Sequence, residues 1–190
     1  MLFFVVVGAM AYLLGSINFS IVFFRITGRG DPRTQYSGNP GATNVYRQAG
    51  AAAAALVLVL DMGRAAAVAA LALYLLEPAG VAWTGLALVA GNRYPCFHQF
   101  RGGKGVANYL GFSAVIVPWG ALASALAWAA GYFAFRVPFI ASFCMVAVLG
   151  GGTLYKWMHT APAVLGVLVT IAFIVFNHRS NIAELAGRGR

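Results

Sequence analysis

At 190 residues, 61% apolar and 9% charged, the chain has too few charged side chains to clothe a soluble domain, for which about 25% is usual. With about 20 residues per lipid crossing, there is room for roughly six or seven spans and no separate soluble unit, so residues 1–190 are expected to form a single transmembrane domain. The net charge of +9, from 13 Lys and Arg against 4 Asp and Glu, points in a membrane chain to basic cytoplasmic loops or a cationic pocket for an anionic substrate. No basic helix with interleaved aromatics is present, so nucleic acid is not an expected partner.

In chain order, the first expected span covers roughly 2–24. No basic residue precedes it and Arg25 follows it, a pattern unlike a signal peptide that suits a helix entering with its N-terminus outside. A polar stretch, 25–50, leads to a second span near 51–76, and Glu77-Pro78-Ala79-Gly80 reads as a turn. A short third span near 80–92 precedes a glycine-rich polar stretch, 92–104. Pro118-Trp119-Gly120 divides 105–135 into a fourth and a fifth span, and Arg136 and Pro138 mark the next junction. A sixth span is expected at 138–153, an interfacial segment at Tyr155-Lys156-Trp157-Met158-His159, and a seventh span at 161–177, followed by a basic tail.

The fold class expected is therefore an all-α integral membrane protein of seven transmembrane helices, N-terminus outside and C-terminus cytoplasmic. The basic residues agree. Arg25, Arg29, Arg33, Arg47, Arg93, Arg101, Lys104, Arg136, Arg179, Arg188 and Arg190 all fall inside, against Lys156 outside and Arg64 within the second span.

Four polar regions fall on one side. Tyr36-Ser37-Gly38-Asn39-Pro40-Gly41-Ala42-Thr43-Asn44-Val45-Tyr46-Arg47 has the composition of an anion nest, because glycines let backbone N–H groups converge on a ligand. It equally suits a turn before a helix capped by Thr43 or Asn44. Phe100-Arg101-Gly102-Gly103-Lys104-Gly105 would let the chain approach a phosphate closely, with the lysine as a point charge. It is not a Walker A loop, since Gly105 stands where Ser or Thr would hold magnesium. A flexible basic loop would have the same composition. His178-Arg179-Ser180-Asn181 offers a proton-holding imidazole with an amide three residues on, or a plain polar helix end. Asp61 and Arg64, at i and i+3 in the second span, are expected to pair, to wall the polar site, or both. Ser142 in the sixth span either bonds its own backbone or faces the site. Cys96 and Cys144 are isolated, His98 and His159 have no partner pattern, and no His or carboxylate cluster has metal-ligand spacing.

In this combination, order and spacing the chain resembles the bacterial acyl-phosphate:glycerol-3-phosphate acyltransferases, the PlsY family. The resemblance extends over nearly the whole length: Gly15-Ser16-Ile17, Ser37 to Asn44, Leu60-Asp61, Phe100 to Ala107 and His178 to Ile182. It implies transfer of a fatty acyl chain from an acyl phosphate to the 1-hydroxyl of glycerol-3-phosphate, giving lysophosphatidic acid and inorganic phosphate. This first step of phospholipid synthesis would occur at the cytoplasmic face of the bacterial inner membrane, with no cofactor or metal. An acyl phosphate is already activated, which fits the absence of a nucleophile–base pair.

Carried over by motif, Ser37, Arg47, Lys104, His178 and Asn181 are the expected catalytic residues. Gly38, Asn39, Gly41, Thr43, Asn44, Arg101, Gly102, Gly103, Gly105 and Ser142 are the expected substrate contacts. The partners implied are acyl phosphate, glycerol-3-phosphate and membrane lipid. The chain departs from the family pattern at Asn92, Arg64, Ala65, Phe139 and Glu184, and lacks the closing Gly-x-Glu. Three other readings stand beside this one: a small polytopic transporter of an anionic solute, a non-catalytic lipid- or phosphate-binding membrane subunit, and a paralogue with a different donor or acceptor.

Overall fold

The computed structural model describes residues 2–187; Arg188 and Arg190 of the basic tail lie outside the described residues. Over the described residues the regular structure is all helical: α1 Leu2–Gly15, α2 Phe19–Ile26, α3 Ala42–Leu75, α4 Pro78–Arg93, α5 Val106–Ile116, α6 Pro118–Phe135, α7 Pro138–Lys156, α8 Ala161–Asn177 and α9 Arg179–Gly187, with 3₁₀ turns at Pro32–Thr34 and Cys96–His98. Prolines open α4, α6 and α7, where a missing N–H is harmless and the fixed φ suits the first turn. Pro118 thus separates α5 from α6 as its position in the sequence suggests.

Among the described residues, three stretches are long and apolar enough to cross a membrane: Leu2–Ile26, Ala42–Leu75 and Pro138–Lys156. The α8–α9 pair, bent by 48°, would make a fourth. Helices α4 and α5, at 16 and 11 residues, are shorter than the about 20 residues a straight crossing needs.

Three details differ from the plain hydropathy reading. The first apolar run is broken at Ser16–Asn18, and the Asn18 side chain caps α2 by accepting from the Ile21 N–H at 3.0 Å. The third helix begins at Ala42 rather than 51, because a polar segment can satisfy its backbone helically as well as an apolar one. Gly50, at φ 82° and ψ −179°, interrupts it, so the piece bearing Thr43 and Arg47 leaves the direction of the apolar 51–75 portion. In the expected interfacial segment, Tyr155 is exposed but Trp157 is buried in the main core with Val81, Leu88 and Val167.

The bundle is organised by the pairs α1 on α4, α3 on α5, α4 on α8 and α6 on α7. Small residues allow the first of these contacts. A Cβ on Gly91 would lie 2.1 Å from the Tyr12 carbonyl oxygen, so only glycine permits that backbone approach, as is common between helices in lipid. Large apolar side chains such as Leu2, Phe3, Trp119, Leu126 and Phe133 point outward, an outer surface suited to hydrocarbon rather than water.

Candidate active site

Both α3 and the α6–α7 pair pack on α5, and a cavity of about 410 Å³ is lined by residues of all four helices, by the turn before α3, by the loop before α5 and by the α8–α9 junction. Its walls divide by chemistry. Ser37, Asn39, Gly41, Thr43, Arg47, Gly103, Lys104, Gly105, His178 and Asn181 supply the polar part, and Leu58, Leu110, Ala125, Trp128, Phe139 and Met145 the apolar part. Ser142 borders it from α7, where its hydroxyl also donates to the Pro138 carbonyl at 3.0 Å. Of the expected catalytic and substrate-contact residues, Gly38, Asn44, Arg101 and Gly102 stand outside this lining. The cavity is therefore amphipathic, with two cations, Arg47 and Lys104, at its polar end.

The turn before α3 presents backbone donors. Gly41 is the N-cap of α3 and no side chain caps it, so the first N–H groups, at the cavity-lining Ala42 and Thr43, keep their capacity to meet an anion. Neither Thr43 nor Asn44 is the cap. Asn44 is buried and donates to the Pro32 carbonyl at 2.9 Å, which ties the 3₁₀ turn to α3. Ser37 and Arg47 are exposed and line the cavity from this segment.

The loop before α5 is folded over the end of α4. Gly102 N–H donates to Arg93 O at 3.1 Å and Gly103 N–H to Asn92 O at 2.9 Å. A Cβ on Gly102 would fall 2.0 Å from that same Asn92 oxygen. Gly105, at φ 87°, caps α5 and packs against Val89, leaving no space for a side chain. The loop thus delivers Lys104, whose ammonium donates to the Asn181 side-chain oxygen. Burial holds this lysine below its ordinary value, at about 8; Glu184 opposes the shift and Arg93 adds to it.

Arg33 joins the two regions on their outer side. It pairs with Asp31 at 2.7 Å and donates to the carbonyls of His98 at 2.9 Å and Arg101 at 3.0 Å. The hydrogen bond from Arg33 keeps the Asp31 carboxyl below the usual carboxylate range.

His178 sits where α8 turns into α9, and the bend leaves both it and Asn181 on the cavity wall. Its Nδ1 lies 2.8 Å from the Ile174 carbonyl oxygen. A carbonyl only accepts, so Nδ1 carries the proton and Nε2 is the free basic nitrogen of the neutral ring. The ring is buried and packs edge-on against Phe143 at 5.1 Å, which fixes its plane.

Asp61 and Arg64 pair at 3.0 Å with side chains only 5% and 6% exposed, and Asp61 also lines the cavity. Both readings of this pair therefore hold together.

Several buried asparagines that are not among the expected catalytic or substrate-contact residues shape the site. Asn92 and Asn108 line the cavity, and Asn177 donates to the Lys104 carbonyl at 3.4 Å. Asn18 donates to the Pro40 carbonyl at 3.1 Å. The available signal was their residue type: an amide within an apolar helix is costly unless it is hydrogen-bonded, so each marks a specific partner.

A family model described as glycerol-3-phosphate acyltransferase matches residues 5–188. A glycerol-3-phosphate acyltransferase of Pseudomonas paraeruginosa is 40% identical over 183 residues, 95% of each chain. That of Neisseria meningitidis is 37% identical over 182 residues, 93% of this chain and 90% of its own. Among solved structures, the integral membrane glycerol 3-phosphate acyltransferase PlsY in its glycerol 3-phosphate form superposes with a TM-score of 0.89 at 34% identity, over 97% of this chain and 92% of its own. The lysophosphatidic acid form superposes with a TM-score of 0.86 at 33% identity, over the same shares.

Proposed function

This chain belongs to the glycerol-3-phosphate acyltransferase family, and from that premise we propose that it transfers a fatty acyl group from an acyl phosphate to the 1-hydroxyl of glycerol-3-phosphate. The carrying observation is the amphipathic cavity: two cations and two glycine-rich turns at one end, and an apolar wall of α3, α5, α6 and α7 side chains continuing from it. Two phosphorylated heads and one acyl tail are the cargo that such a lining would accept.

In the step proposed, the acceptor oxygen attacks the acyl carbonyl carbon. A new C–O ester bond forms, the acyl–phosphate C–O bond breaks, and inorganic phosphate leaves with the electron pair. The hydroxyl proton goes to the departing phosphate or to His178 Nε2, the nitrogen left free by the Nδ1 bond to Ile174. Arg47 and Lys104 stabilise negative charge building on the phosphate and on the carbonyl oxygen, the larger contribution expected in a water-poor site. Ser37, Asn39, Gly41, Thr43 and the Gly103–Gly105 backbone hold the phosphates, Asn181 orients Lys104 through their hydrogen bond, and Ser142 borders the acyl carbonyl. Gly38, Asn44, Arg101 and Gly102 support the two turns from behind.

The whole chain acts in this proposal as one transmembrane acyltransferase domain of seven helices in a bacterial inner membrane. The N-terminus lies outside, and the site opens to the cytoplasm, where glycerol-3-phosphate would enter while the acyl chain arrives from lipid. The bias of basic residues supports that orientation.

Incubation of purified protein in lipid-like detergent with palmitoyl phosphate and glycerol-3-phosphate tests the reading. Lysophosphatidic acid in the products, detected by mass spectrometry, is the expected result. Its absence from folded protein across several donor lengths would sink the proposal.

A further inference from the structure

The guanidinium of Arg64 makes more contacts than an ion pair requires. Its Nη2 donates to Asp61 at 3.0 Å and to the Asn108 side-chain oxygen, while Nη1 donates to the Ile17 carbonyl, and the group stacks over the Phe19 ring at 5.2 Å. Asp61 lies on the same helix, so neutralising it needs no other element. The remaining bonds reach the α1–α2 break and the first turn of α5.

Each of those contacts leads to one of the anion-binding turns. Ile17 is followed by Asn18, which is fully buried and donates to the Pro40 carbonyl, inside the turn that carries Ser37 and opens α3. Asn108 lies three residues after Gly105, the cap that follows Lys104, and itself borders the cavity. We infer that Arg64 is a positioning residue that holds the 37–44 turn and the 102–105 loop in register from inside the bundle.

The physical reason is geometric. A planar guanidinium presents donors in a fixed fork, so satisfying Ile17 and Asn108 at once sets the α1–α2 break against α5. The break sets Pro40 through Asn18, and α5 sets Lys104 through Gly105. Arg33 ties the same regions near the outer surface, through the carbonyls of His98 and Arg101. One clamp at the outer surface and one in the apolar interior resist hinge motion between the turns better than either alone, and transfer between two bound phosphates depends on such alignment. What the turns hold rests on the acyltransferase reading; their mutual positioning does not.

The experiment combines hydrogen exchange with steady-state kinetics on the full chain in detergent. Arg64→Met leaves Asp61 without its partner and can lower stability, so Asn18→Ala and Asn108→Ala, which leave the ion pair intact, are measured beside it. Of the two turns, Asn18→Ala is expected to speed backbone exchange in 37–44 only, together with the first turn of α2 that it caps; Asn108→Ala is expected to do so in 102–105 only, and Arg64→Met in both. Each is expected to raise KM for glycerol-3-phosphate about tenfold, the scale of losing one hydrogen bond in a buried network. Exchange that rises evenly along α3, or local loosening with KM unchanged, would overturn the inference. If the wild-type protein fails to acylate glycerol-3-phosphate, the acyltransferase reading fails, and the exchange pattern still decides whether Arg64 positions the two turns.

Discussion

Burial beside the cavity brings the Lys104 ammonium down to about 8, so its pull on a phosphate weakens as pH rises through that value. KM for glycerol-3-phosphate is therefore expected to climb above pH 8, and Lys104→Arg, which stays charged, should flatten that limb of the profile. Stability should move the opposite way. The unfolded lysine, near its ordinary 10.5, binds more protons than the folded one between about 8 and 10.5, so folding is favoured as pH rises through that window. Melting temperatures against pH, read beside the kinetics, separate the two effects. At His178, replacement by Ala removes a base whose tautomer is set by Ile174. kcat is expected to fall by about 100-fold or more if it handles the acceptor proton, with little change in KM for the donor; an unchanged kcat would assign the proton to phosphate alone.

Helix α3 shows what an element contributes beyond its residues. Gly50 holds φ 82° and ψ −179° with open space around a hypothetical Cβ, so Gly50→Ala would cost strain rather than collide, on the order of 1–3 kcal/mol for a backbone conformation that essentially only glycine adopts. The expected response is straightening of the first segment and withdrawal of Arg47 from the cavity. KM for both phosphorylated substrates should rise while the helix content by circular dichroism stays constant. A variant with unchanged KM would mean that Arg47 does not depend on the kink.

The element scale also shows what the sequence carried. Prolines at 118 and 138 announced helix starts that the structure has, and the apolar run from 51 is the portion of α3 beyond Gly50. The break at Ser16–Asn18 was not legible, because Ser16, Asn18 and Ser20 are too few to interrupt an apolar run that continues to Phe24, and only Asn18's reach to Pro40 reveals the turn. The bend at His178 was hidden too, since Asn181 at i+3 suits a straight helix equally well. Likewise the motifs drew attention to Ser37, Lys104 and His178, whereas Asn108 and Asn177 act through tertiary partners that no local pattern announces.

At the scale of the whole molecule, the α1–α4 and α3–α5 contacts place three distant sequence regions around one cavity, and the orientation of that cavity is open to test. With Cys144 replaced by Ala, Cys96 in the loop after α4 should resist a membrane-impermeant thiol reagent in intact cells and react after permeabilisation. A cysteine placed at His159, at the opposite end, should react in both. The reverse pattern would invert the topology.

The central claim is direct transfer within one site that holds both phosphates. Phosphate release by the purified protein, followed in time with palmitoyl phosphate in the presence and absence of glycerol-3-phosphate, tests it most directly. The account predicts release that requires the acceptor and matches lysophosphatidic acid mole for mole. A burst of phosphate without acceptor, leaving acyl groups on the protein, would contradict it.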